Sequence, residues 1–228
     1  MATAGFTERE TYFDDVKQPA VLRVIAHILS YVFHPLFVPA IAAAVLIWLH
    51  PINNLLIEGR MKPRLLIMIF LYTGFFPGIA VFLLWRLKFI DNLYMRTQKE
   101  RIIPFIISMF FFFWIYYVSR NLEAFPLSFR QFLMGIFLSS VGALFANIKT
   151  KISMHAIGMG GLVAFFFLQQ ATDVNWQSNW SMIALVTAGT VCTARMILSA
   201  HRPIDVYSGF FVGVLCQVAG YFIVGSIS

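Results

Sequence analysis

Arg195, His201 and Asp205 stand in one run, Arg195-Met-Ile-Leu-Ser-Ala-His201-Arg-Pro-Ile-Asp205, between two apolar stretches, Trp180–Leu198 and Val206–Ile227. Ionisable side chains at the end of a hydrophobic helix are costly to keep, so such a run is a functional candidate before it is an anchor. The three residue types suit attack on phosphate. A guanidinium holds anionic oxygens as a planar fork, and a carboxylate can fix one imidazole nitrogen while the other acts as nucleophile. Pro203 suits the first turn of a helix. His201 is therefore expected just ahead of that helix's positive end, where an anion is favoured.

Two further clusters carry the same chemistry. Ser153-Met-His155 follows the basic run from Lys149 to Lys151 and precedes an apolar stretch. The serine suits a helix start whose unpaired N–H groups face an anion, and His155 can carry a proton. The third cluster, Arg96-Thr-Gln-Lys99-Glu-Arg101-Ile-Ile-Pro104, offers three cations immediately ahead of another apolar run. His27, His34 and His50 lie near interfaces with no carboxylate at ligand spacing, and read as interfacial residues. Cys192 and Cys216 lie inside apolar runs and read as packing residues. No spacing suggests a metal site, and no cofactor is expected.

These clusters need elements that bring them together. Hydrophobic residues make up 60% of the chain and charged residues 12%, about half the charge of an ordinary soluble domain. Mean hydropathy is +0.79, and apolar runs long enough to span a bilayer recur. The expected fold class is all-α, a polytopic transmembrane helix bundle of six to seven spans. Residues 1–19 form a polar N-terminal tail, and residues 20–228 a single transmembrane domain. The expected spans are Val32–Leu49, Leu65–Leu87, Ile102–Val118, Phe129–Ala146, Ala156–Gln170, Trp180–Leu198 and Ile204–Ile227, with Ala20–Tyr31 as an interfacial helix. Alternating spans put the three clusters on one side. The net charge of +7 fits basic loops beside lipid or phosphate, and no long basic run suggests nucleic acid.

Arg-x5-His-x3-Asp resembles the third signature of the type 2 phosphatidic acid phosphatase superfamily, although Ala194 stands where that family usually has serine. Ser153-Met-His155 occupies the place of the second signature, with Ile152 for proline and Met154 for glycine. The first signature, Lys-x6-Arg-Pro, is matched by Arg101 with Lys99 or Arg96 at altered spacing, and two spans separate it from the second. The resemblance implies a metal-independent lipid phosphatase working through a phosphohistidine. His201 would be the nucleophile, Asp205 its orienting partner and His155 the general acid. Arg195, Arg101, Lys99, Arg96 and Ser153 would bind phosphate. The implied substrate is a lipid phosphate or diphosphate, such as polyprenyl diphosphate, phosphatidylglycerol phosphate, phosphatidic acid or a lipid A phosphate. The implied location is the bacterial inner (cell) membrane, among membrane lipids. The alternative is a non-catalytic protein that binds or transports lipid phosphates.

Overall fold

The computed structural model describes residues 18–93, 95, 97–123 and 125–227. The first 17 residues of the expected polar tail, and Arg96, lie outside these. Every regular element is a helix: α1 (Ala20–Val32), α2 (Val38–Leu49), α3 (Pro51–Leu56), α4 (Met61–Arg86), α5 (Gln98–Arg120), α6 (Leu127–Lys149), α7 (Met154–Thr172), α8 (Ser178–Ile197) and α9 (Pro203–Ile227). Among the described residues, six helices, α4 to α9, are long and apolar enough to cross a membrane, and the chain is an all-α integral membrane bundle.

Helix ends follow local chemistry. α5 begins four residues before the expected Ile102, because Thr97 and Glu100 form a capping box. Thr97 Oγ1 accepts from the Glu100 N–H at 3.3 Å and Glu100 Oε2 accepts from the Thr97 N–H at 3.0 Å, two otherwise orphaned donors. α7 starts at Met154 because Ser153 Oγ accepts from the Ala156 N–H at 3.4 Å. At 19 residues, about 28 Å of rise, α7 is a full span rather than the short one expected.

The first expected span, Val32–Leu49, is interrupted. The chain leaves helix after Val32 and re-enters at Val38, where Pro35 has no N–H to continue the ladder. α2 is too short to cross alone, yet the ends of this segment are tied to opposite ends of α7. The His34 ring packs edge-on against His155, and His50 Nε2 donates to Asp173 Oδ2 at 2.8 Å. Residues 34–50 therefore run the whole length of α7 as a seventh traverse. His50 has a carboxylate partner after all, 123 residues away in sequence, a distance that no local spacing rule reaches.

α4 is interrupted by a wide π-type turn over Leu71–Phe75. Pro77 offers no N–H to the preceding turn, which favours such a distortion. A Cβ on Gly74 would lie 3.2 Å from the Leu36 carbonyl oxygen, so this glycine also admits the 33–37 turn.

α9 packs along both α6 and α7. Small residues permit this: a Cβ on Gly213 would come 2.0 Å from the Ile157 carbonyl oxygen, and one on Gly160 would come 2.0 Å from the Phe210 carbonyl oxygen. Backbone meets backbone there, as in close helix pairs in membranes. A Cβ on Gly158, in contrast, would meet only ordinary contacts. Gly213→Ala is expected to lower the melting temperature in detergent, with an overpacking cost of about 1–3 kcal/mol or more. Gly189→Ala, where an added Cβ meets nothing within 4 Å, is expected to raise it by up to about 1 kcal/mol of helix propensity.

Candidate active site

The three sequence clusters meet at one end of the bundle, where α4 gives way to α5, α6 to α7 and α8 to α9. The first two are laced by a reciprocal amide pair. Gln98 Nε2 donates to the Asn147 carbonyl at 2.9 Å, and Asn147 Nδ2 donates to the Gln98 carbonyl at 2.8 Å. The second and third are joined through the backbone, where the Ser153 N–H donates to the Asp205 carbonyl at 3.1 Å.

Arg101, on the first turns of α5, is buried, with 9% of its surface exposed. Its Nε donates to the Met95 carbonyl at 3.0 Å and its Nη1 to the Ile152 carbonyl at 3.1 Å, so the guanidinium is clamped from two loops. Arg195, on the last turn of α8, donates from Nη1 to Ser30 Oγ at 3.2 Å. Its Nε is buried with no hydrogen-bond partner. A buried orphaned donor on a cation is expensive, and an anion is what would relieve it. Lys99 is exposed on the first turn of α5; the third cation whose charge acts on His201 is Lys151. Arg96 lies outside the described residues.

His201 is buried in the loop between α8 and α9. Its Nδ1 lies 3.0 Å from the Lys151 carbonyl oxygen. A carbonyl only accepts, so Nδ1 carries the proton and Nε2 is left as a lone-pair nitrogen. Burial first, then the charges of Arg101 and Arg195, push the imidazole down from its ordinary 6.5 to about 3. The ring is neutral at physiological pH.

Asp205 does not orient that ring here. Its Oδ2 accepts from the Arg202 N–H at 3.2 Å and from Arg202 Nε at 3.1 Å, while Oδ1 accepts from Arg202 Nη2 at 3.2 Å. The reason is local. Asp205 is the third residue of α9, and a carboxylate at that position folds back onto the backbone N–H of the residue preceding the helix. Arg202, at that place, adds its guanidinium. The Lys151 carbonyl takes over the orienting contact that the spacing assigned to Asp205.

His155 sits on the first turn of α7. Its Nε2 lies 3.0 Å from the Ser30 carbonyl oxygen, so Nε2 carries a proton and Nδ1 is the nitrogen free to exchange one. Arg195, His34 and His201 lie within electrostatic reach of it. The Ser153 hydroxyl caps α7 and is fully buried, behind the cluster rather than open to it.

Sequence reasoning missed three contributors. Ser30 meets both Arg195 and His155. Lys151 brings its carbonyl and its charge to His201. His34, read above as interfacial, stands with its ring centroid 5.4 Å from that of His155 at 84°, and its Nδ1 accepts from the Leu36 N–H at 3.3 Å. The signal for His34 was available, since Pro35 and Pro39 beside it mark an irregular segment at membrane depth, which is tolerated where it lines a cavity or packs in protein. Among the described residues, no three His, Cys, Asp or Glu side chains come together as a metal-ligand set. No protein-family model, curated protein or solved structure matches this chain.

Proposed function

We propose that the chain is a lipid phosphatase that hydrolyses a phosphate monoester or diphosphate of a membrane lipid through a phosphohistidine. The observation that carries this reading is the neutral imidazole of His201, held on the Lys151 carbonyl with Nε2 free, among the charges of Arg101, Arg195 and Lys151. Such a cluster suits a phosphoryl group, whose transfer depends on positioning and on stabilising charge over the equatorial oxygens. The resemblance of the His201 run to the third phosphatase signature supports the same chemistry from an independent direction. It also points to the bacterial inner membrane.

In this mechanism, His201 Nε2 attacks phosphorus while the bond from phosphorus to the leaving oxygen breaks. With the anionic phosphoryl group bound, His155 takes up a solvent proton at Nδ1 and gives it to that oxygen, while the Nε2 proton stays on the ring, donated to the Ser30 carbonyl. Water then attacks the phosphohistidine and loses a proton to His155 Nδ1. Inorganic phosphate leaves and His201 returns to its neutral form. Arg195, whose Nε has no partner, takes a phosphoryl oxygen throughout. Arg101 and Lys151 add charge without needing to move.

The test is phosphate release by purified protein in detergent from a panel of lipid phosphates, with and without EDTA. Release from at least one lipid, unchanged by EDTA, is the expected result. Binding without release across the panel would instead identify a lipid-phosphate carrier. Release abolished by EDTA and restored by a divalent metal would overturn the metal-independent mechanism.

A further inference from the structure

We infer that the groove between α1 and α8 seats one hydrocarbon chain of the lipid phosphate whose headgroup meets Arg195 and His201. This assignment names the substrate-binding face and rests on the reading above. The cavity measures 440 Å³, within the roughly 300–1,000 Å³ range of ligand pockets. Leu22, Ile25 and Leu29 line one wall, and Val186, Gly189 and Thr193 the other. On each helix these positions recur at three- and four-residue spacing, so each wall is a single helix face. From Val186 to Ile197, the last lining position on α8, the groove follows the helix for about 16 Å. Ala26 and Ala194, each 2% exposed, form its floor, whereas Leu22 at 42% and Val186 at 68% leave its side open.

Chemistry sorts the two ends of the occupant. None of the lining residues is ionisable. The two hydroxyls in the wall are satisfied within their own helix: Thr190 Oγ1 donates to the Val186 carbonyl at 2.7 Å and Thr193 Oγ1 to the Gly189 carbonyl at 2.8 Å. Hydrocarbon therefore enters without stripping a polar group of its partner, while a headgroup placed along the groove would find no donor. Donors gather where Leu29 and Ala194 lie. There Arg195, next to Ala194, bridges to Ser30, next to Leu29, at 3.2 Å, and Arg195 Nε has no partner. An apolar channel that terminates at a partly buried cation with a buried, unpartnered Nε matches the two parts of a lipid phosphate in order.

The test uses a long-chain alkyl phosphate with a mid-chain diazirine, and the corresponding neutral alkyl alcohol, photolysed with the full-length protein in detergent and mapped by mass spectrometry. The phosphate probe is expected to label residues 22–29 and 186–197, exceeding the alcohol by more than roughly tenfold, as charge-assisted hydrogen bonds at one end predict. Gly189→Phe, whose Cβ enters open space, should fill the groove and remove most of that labelling without lowering the melting temperature. Labelling centred on other helices, equal labelling by both probes, or no labelling would each overturn the assignment. Persistent labelling in a folded Gly189→Phe variant would do so too. Phosphate release is scored separately. A wild-type protein that labels in the groove but releases no phosphate would remove the phosphatase reading and leave the groove standing.

Discussion

His201→Ala is expected to abolish phosphate release, by more than about 10³-fold, because no other group can take the nucleophile's place. His201 Nδ1 is held by the Lys151 carbonyl at 3.0 Å, which leaves Nε2 for phosphorus. His155→Ala should cost about 10²–10⁴, the usual worth of a positioned acid or base. Asp205→Asn should cost less than either, since its carboxylate grips Arg202 rather than the nucleophile. Rapid acid-free denaturation of wild-type protein during turnover should trap an acid-labile, alkali-stable phosphoprotein, absent from His201→Ala. A fully active His201→Ala protein would end the proposed mechanism. The same substitution has a readout without substrate. The folded protein holds this imidazole at about 3, so the unfolded chain, with an ordinary imidazole, binds the proton first. The stability contributed is present above pH 6.5 and is lost as pH falls toward about 3. His201→Ala should flatten that part of the curve of stability against pH.

Arg195→Leu is expected to lose activity and gain stability together. The guanidinium is partly buried, and among the described residues its Nε has no partner while its Nη1 donates to the Ser30 hydroxyl at 3.2 Å. Replacing a partly buried cation that has an unpartnered Nε by an apolar side chain of broadly similar volume relieves desolvation and can stabilise by about 1–4 kcal/mol. The phosphoryl oxygen would lose its donor, and turnover should fall by about 10²–10³, the range for one such donor. Arg195→Lys should not restore it, because an ammonium lacks the planar fork. Ser30→Ala, in contrast, removes a hydroxyl on the protein side of Arg195 and should leave most activity. Thermal melting and phosphate release on the same preparations check both halves. An Arg195→Leu protein that is less stable and equally active would show that the residue is a structural anchor.

What was legible in the sequence was what local rules control. Apolar length alone identifies six of the traverses, because a bilayer requires a continuous hydrophobic helix. Alternation of direction then puts the runs at Arg101, Ser153–His155 and Arg195–Asp205 on one side. Cap chemistry at Thr97 and Ser153 was equally local, although only the second start was recognised, and α5 began earlier than its apolar run suggested. What the tertiary structure decided was which partner each polar group takes. Asp205 lies four residues beyond His201 and three beyond Arg202, and the helix start resolves that choice in favour of Arg202 because a backbone N–H there needs an acceptor. His201 is oriented instead by a carbonyl 50 residues earlier, and His155 by one 125 residues earlier. Backbone carbonyls exist at every position and leave no mark in a sequence. His34 and His50 were passed over because their side-chain partners, His155 and Asp173, become neighbours only when residues 34–50 pack along α7. The sequence alone determined the membrane helices and the side on which the reactive residues gather. Only packing decided which nitrogen of each histidine is free, because that depends on contacts made between segments far apart in the chain.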